Sequence, residues 1–203
     1  LAGIQGAIEI LNENWAGMDD SERYRFLTMI DNDVKRMERL VKRLTLLTKI
    51  EITEQGSART DLAELVGSMV NRYQEAGKDI ELECKTGKAM ANIAPDMAET
   101  LFTNLLENAF THGKGSPVTV TIQEGPEVSV RDRGPGISEA NQRRVFERFF
   151  TTARQEGGTG LGLAMVKAIA DACEAEVRLE SSEKGTEFRV VFRPASKESS
   201  RQQ

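Results

Sequence analysis

The sequence predicts an α+β protein, a two-layer α/β sandwich preceded by an α-helical hairpin. Three observations lead there. Over residues 1–54 apolar side chains recur with helical and then heptad spacing. A short polar linker, Glu54-Gln55-Gly56-Ser57-Ala58, follows. From residue 60 to 193, segments with the helical period alternate with segments of period two, the pattern of helices laid on a sheet.

In the first segment Ile4, Ile8, Leu11 and Trp15 fall on one helical face, with Trp15 expected at the end of a bundle. Gly17-Met18-Asp19-Asp20-Ser21 interrupts that helix and offers caps for a second. From Phe26 the spacing tightens into heptads: Ile30, Met37 and Leu44 are seven apart, as are Leu40 and Leu47. Lys35, Arg36, Glu38, Arg39, Lys42 and Arg43 fill the other faces, and Asp33 interrupts the seam. Such a seam packs in a coiled coil or bundle. Helices of about 15 and 30 residues make a lopsided hairpin, which a dimeric four-helix bundle completes. A plain structural dimerisation hairpin fits the same pattern.

In the second segment, Asp61–Ala76 reads as a helix with Leu62, Leu65, Val66, Met69, Val70 and Tyr73 on one face, and Ile80–Cys84 alternates as a strand. Pro95 opens a strongly helical stretch over Met97–His112. Pro117–Ile122 and Glu127–Val130 form two strands around the turn Glu124-Gly125-Pro126. A Gly-rich stretch from Asp132 to Gly162 contains a small amphipathic piece at Val145–Phe150. A helix over Leu163–Cys173 and strands near Val177–Glu180 and Phe188–Phe192 complete the sandwich, and 194–203 reads as a polar tail.

Composition narrows the function classes. With 27 Lys+Arg against 32 Asp+Glu the chain carries a formal charge of −5, so nucleic acid is not the expected partner. No run approaches the ~18 apolar residues of a membrane span, and no signal peptide is visible. Cys84 and Cys173 are too few for a disulfide framework and are expected as buried packing residues in a reducing, cytosolic compartment. His112 is the single histidine, which removes any site needing two.

Three clusters carry chemistry. Asn104 and Asn108 are four apart on one helical face, where two amides can hold a hydrated Mg²⁺ against phosphate oxygens; read alone they are also an exposed polar stripe. Asp132-Arg133-Gly134-Pro135-Gly136 follows a strand directly, so a carboxylate meets a backbone that a flat ring can approach closely; a charged turn is the alternative. Gly157-Gly158-Thr159-Gly160-Leu161-Gly162-Leu163 opens a helix and forms an anion cradle rather than a merely flexible loop. It is not a dinucleotide fingerprint, because the third glycine would fall at Leu163. Gly113-Lys114 is followed by Gly115, so there is no P-loop either.

In this order and spacing the three clusters resemble the N, G1 and G2 boxes of the GHKL (Bergerat) ATPase fold, and more narrowly the catalytic domain of a sensor histidine kinase. Val145–Phe150 matches the family's F box, and Gly185-Thr186-Glu187-Phe188 its closing Gly-Thr strand. The resemblance covers about residues 60–193, and the hairpin 1–54 looks like the family's dimerisation and phosphotransfer domain. It implies ATP and Mg²⁺ as cofactors, with Asn108 on the metal and Asn104 supporting it or contacting phosphates. Asp132 would accept from the adenine amine, backed by Gly134, Gly136, Ile137 and, through water, Thr186. His112 would pack near the ribose, and Gly158, Thr159, Gly160, Leu161 and Gly162 would wrap the phosphates. Residues 138–157 would form a mobile lid anchored by Phe146, Phe149 and Phe150. Arg148 or Arg154 would reach the γ-phosphate.

The resemblance further implies a homodimer, a response-regulator receiver domain as partner, and membrane attachment only through missing N-terminal regions of a cytoplasmic catalytic part. Leu1-Ala2-Gly3-Ile4 resembles the residues just after the family's phosphoacceptor box, His-Glu-x-x-x-Pro, so the acceptor is expected upstream and the 203 residues are not expected to label themselves. Where hydrolysing relatives place a glutamate, this chain has Asn104, and an amide cannot take a proton from water. That favours a kinase over a GHKL-type ATPase; intact glycines and Asp132 speak against a non-catalytic scaffold. One departure is that Phe110 or Thr111 stands where relatives often carry a cation.

Overall fold

The computed structural model describes residues 2–52, 58–153 and 158–194. Residues 1, 53–57, 154–157 and 195–203, and the side chains of Arg36, Arg39, Lys42, Arg43 and Leu47, lie outside the described residues.

Helix α1 (Ala2–Asn14) and helix α2 (Asp20–Ile52) form the hairpin. Asp19 and Glu22 start α2 by bonding each other's backbone N–H, at 2.8 and 3.1 Å, a reciprocal cap that satisfies two orphan donors. The helices run antiparallel, with Gly3 opposite Asp33 and Trp15 opposite Arg23. A Cβ at Gly3 would lie 2.9 Å from the Asp33 carboxylate, so the polar break in the seam is accommodated by a missing side chain. Ala7 and Leu11 are the buried residues of α1, whereas Ile8 (44% exposed) and Trp15 (50%) are not. The expected face is therefore rotated: Gly3, Ala7 and Leu11, four apart, let α2 approach closely and turn the larger Ile8 outward. Trp15 is covered from one side by Arg23, whose guanidinium stacks 4.8 Å from the indole and donates to the Trp15 carbonyl at 2.6 Å.

The rest is one α/β sandwich. Strand β1 (Thr60–Asp61) leads into α3 (Leu62–Glu75), then β2 (Ile80–Cys84), β3 (Met90–Ala91), α4 (Pro95–His112), β4 (Val118–Ile122), β5 (Glu127–Asp132), α5 (Glu139–Gln142), α6 (Gly162–Ala172), β6 (Glu176–Ser182) and β7 (Gly185–Val191). The main sheet has the order β2-β4-β5-β7-β6. β2 and β4 are parallel, joined by a crossover through α4; the other pairs are antiparallel. Alternation sets the layers. Val118, Val120 and Ile122 point inward with Val128, Val130, Phe188 and Val190, and α3, α4 and α6 close over them with Leu62, Met69, Leu101, Phe102, Leu105, Met165 and Ile169. Each such large apolar side chain contributes roughly 1.5–3 kcal/mol of burial. Leu40 of α2 packs against this same core.

Asp61 caps α3 by accepting from Ala63 N at 3.1 Å and also takes the Ala89 N–H at 3.0 Å, which ties the helix start to β3. The two-residue strands β1 and β3 pair antiparallel and have no sequence signal of their own. Val145–Phe150 is a chain of turns rather than a helix, with Val145 buried and Phe146 edge-on to Phe188 at 6.2 Å. Cys173 is buried and its thiol is pushed up to about 11 by desolvation. Cys84 corrects the expectation of two packing cysteines: it is exposed, at the end of the edge strand β2.

Candidate functional site

Helix α4 presents Asn104, Asn108 and His112 at successive turns. Asn104 is buried; its Nδ2 donates to the Thr100 carbonyl at 2.8 Å, while its Oδ1 is buried without a partner. That oxygen lies 3.2 Å from where a Cβ on Gly162, the first residue of α6, would stand. An unsatisfied buried acceptor costs about 1–3 kcal/mol, so an oxygen placed at a helix N-terminus awaits a donor or cation. Among the described residues no group of three or more His, Cys, Asp and Glu could hold a metal. Amide oxygens supplemented by phosphates and water suit Mg²⁺, which keeps much of its hydration, and do not suit a transition metal.

The other end of the site is built on Asp132, last residue of β5 and buried. Its Oδ1 accepts the Gly134 N–H at 2.8 Å. Desolvation raises its pKa, opposed by the backbone N–H groups of Gly134 and Thr186 and by His112 and Arg131. Thr186 on β7 is its cross-strand partner, so both buried side chains leave the sheet on the helix side. Glycines permit the close packing. A Cβ at Gly134 would stand 2.6 Å from the His112 carbonyl, and one at Gly136 (φ +75°) would strike the carbonyl of Ser182. Ile137 donates its N–H to Ser181 Oγ at 2.8 Å.

Between the two ends runs the glycine cradle. Gly158 N donates to Ala153 O at 3.0 Å, and Gly160, at φ +69°, accepts from Phe149 N at 2.8 Å. Thr159 Oγ1 accepts the Leu161 N–H at 3.4 Å, and Leu161 is the buried cap residue of α6. Phe149 corrects the expected anchor: its ring is 52% exposed, and with φ +65° it holds the cradle through its backbone only. Phe146 anchors the segment against Phe188 of the core, whereas Phe150 lies beneath the Arg144 guanidinium of the same segment at 4.6 Å. Arg148 is exposed, and Arg154 lies outside the described residues. Phe110 stacks on Tyr73 at 5.3 Å, under Lys78, so that position serves α3–α4 packing and not the site.

Four residues of the site went unnoticed in the sequence. Gly113 ends α4, and a Cβ there would sit 3.3 Å from that of Asp132. Ser116 Oγ accepts the Arg133 N–H at 3.1 Å, and Ser181 and Gln142 hold Ile137 from both sides. Their partners are mostly remote in sequence, so no local spacing marks them. A separate polar recess lined by Glu83, Thr119, Thr121, Ser129, Arg131, Arg133 and Glu187 lies on the outer face of the sheet and shares no residue with this site.

Residues 93–196 match the family of histidine kinase-, DNA gyrase B-, and HSP90-like ATPases. The chain is 34% identical to the probable sensor histidine kinase TcrY of Mycobacterium tuberculosis, over 94% of this chain and 42% of that protein. It spans less than half the length of the curated relatives it matches first. Among solved structures, the mycobacterial sensor histidine kinase MprB is 28% identical with a TM-score of 0.58, covering 68% of this chain and 99% of that one. Acinetobacter baumannii histidine kinase AdeS, at 18% identity, shares the fold with a TM-score of 0.70 over 93% of this chain and 92% of its own. The chain belongs to the histidine kinase-, DNA gyrase B- and HSP90-like ATPase family.

Proposed function

We propose that this chain holds Mg·ATP between α4, α6 and the Asp132 end of the sheet, and serves transfer of the γ-phosphoryl group to a histidine for relay to a response-regulator aspartate. The observation that carries this reading is the orphan Asn104 Oδ1, which faces the glycine-rich start of α6 from the middle of α4, a helix whose C-terminal end at Gly113 meets Asp132, the cross-strand partner of Thr186. Asp132 accepts from the adenine amine, with Gly134, Gly136, Ile137 and Thr186 shaping the slot and His112 beside the ribose. Asn108 ligates the metal with Asn104 behind it. Gly158, Thr159, Gly160, Leu161 and Gly162 wrap the phosphates at the start of α6, where the helix dipole favours negative charge. Bound Mg²⁺ would neutralise phosphate charge and help align the γ-phosphoryl group. Arg148 or Arg154 supplies further positive charge from the lid.

The Asn104 amide is tied to Thr100 and is no base, which supports transfer to a protein acceptor over hydrolysis. Residues 1–54 act as the dimerisation and phosphotransfer hairpin and 60–193 as the ATP-binding unit. His112 closes α4 inside the nucleotide site, so these 203 residues bind nucleotide without labelling themselves. Among the described residues no helix is long and apolar enough to cross a membrane; the proposed setting is the cytoplasmic portion of a sensor. Calorimetric titration with Mg·ADP tests the reading. Micromolar binding is expected, weakened by about tenfold or more in Asp132→Asn, the loss of a charged hydrogen bond. No binding by the unmodified chain would overturn it.

A further inference from the structure

Ser181 on β6 sits at a junction of three parts of the site. Its Oγ accepts the Ile137 N–H at 2.8 Å, lies 2.9 Å from Thr186 Oγ1 and lies 3.4 Å from the Gly185 carbonyl. The Ile137 peptide is fixed from its other side, where Gln142 Nε2 donates to the Ile137 carbonyl at 2.7 Å. A backbone N–H can only donate, so one lone pair of Ser181 Oγ is committed to Ile137. Of the two acceptors within reach of the Ser181 proton, Thr186 Oγ1 at 2.9 Å lies in the range of good O–H···O bonds and the Gly185 carbonyl at 3.4 Å does not.

We infer that Ser181 is a positioning residue that sets the hydrogen-bond polarity of the base slot. By donating to Thr186 Oγ1 it leaves the Thr186 proton for the pocket, so Thr186 stands as a donor beside the Asp132 acceptor. Both side chains come from paired positions on β5 and β7 and face the same way. A donor beside an acceptor complements a base edge that carries an exocyclic amine next to an unprotonated ring nitrogen, as adenine does. A 6-oxo purine such as hypoxanthine presents the reverse pattern at those atoms, with a ring N–H meeting the Thr186 donor. This deepens the nucleotide-binding reading above and rests on it.

The test compares Mg·ADP with Mg·IDP by calorimetry on the 203-residue chain and on Ser181→Ala, Ser181→Thr and Thr186→Val. In Ser181→Ala the Thr186 hydroxyl is free to turn, and the ADP-over-IDP preference is expected to shrink by about five- to tenfold, the worth of one neutral hydrogen bond. Ser181→Thr keeps the hydroxyl and should restore the preference, and Thr186→Val should lose it as Ser181→Ala does. A merely structural role would weaken both nucleotides alike and leave their ratio unchanged, which overturns the inference while the ATP-binding reading stands. Failure of the unmodified chain to bind ADP overturns both. Should Ser181→Ala fail to fold, Ser181→Cys, whose thiol is only a weak donor, takes its place in the same comparison.

Discussion

Burial raises Asp132 above the ordinary carboxylate range because desolvation outweighs the hydrogen bonds from Gly134 and Thr186 and the nearby His112 and Arg131. The sign follows by linkage. A carboxyl whose folded pKa is raised favours the protonated fold, so its contribution to stability is present at low pH and is lost as pH rises through the folded pKa. The empty domain therefore carries a cost at neutral pH that nucleotide relieves. Asp132→Asn should melt higher than the parent at neutral pH without nucleotide, with the gap closing as pH falls. ADP affinity should run the opposite way, dropping on acidification with a midpoint above the ordinary aspartate value of about 3.9. Thermal melts and titrations across pH check both, and an affinity flat down to that value would refute the raised pKa. Asp132 was legible because two glycines follow it at fixed offsets. Ser181 was not, since its bond to Ile137 joins residues 44 apart. Cys84 misled because alternation from Ile80 assigns it the inward face but says nothing of what covers the end of an edge strand.

Among the elements, α4 was the most readable, since Pro95 marks its start and a strong apolar period continues to His112, carrying the asparagines with it. β1 and β3 were unreadable because each has two residues and their pairing joins positions some 30 apart. The turn leaving β5 depends on two separate properties of glycine that a sequence does not distinguish. Gly136 and Gly125 both have positive φ, +75° and +91°. A Cβ at Gly136 would collide with the Ser182 carbonyl, whereas one at Gly125 meets open space. Gly125→Ala should cost only the left-handed backbone penalty, about 1 kcal/mol, and leave ADP affinity alone. Gly136→Ala must also push apart the loop after Asp132 and the β6–β7 hairpin, so a loss of about 2–4 kcal/mol is expected, the backbone penalty plus overpacking. ADP affinity should fall with it. Equal melting temperatures and equal affinities for the two alanine variants would show that the close approach to Ser182 is not a constraint.

At the scale of the molecule, the sandwich buries its own core while the hairpin does not. Along α2, Leu27, Met29, Val34, Met37, Val41 and Leu44 are exposed, and on α1 so are Ile8 and Ile10. Leu40 is turned the other way, onto the sandwich. A helix with apolar residues on more than one side needs more than one neighbour. The short α1 covers one side and the sandwich part of another, and the heptad positions Met37 and Leu44, with Val41 between them, remain partly exposed. In the proposed dimer, a second copy of the hairpin would supply the missing face through the same residues, as a two-fold symmetric bundle requires. The long helix was legible from its spacing, but the expected seam is split, with Leu40 on the sandwich and Met37 and Leu44 exposed, because the faces that stay open depend on how α1 is rotated and where the sandwich docks. Val41→Glu combined with Leu44→Glu should convert a dimer to a monomer in light scattering, since each buried pair of like charges opposes association. Mg·ADP binding should be unchanged, because neither side chain belongs to the nucleotide site. A parent chain that is monomeric at high micromolar concentration, or a double variant that still dimerises, would place the dimer contact elsewhere. Loss of ADP binding in the monomer would instead mean that the open face of α2 and the nucleotide site are energetically coupled.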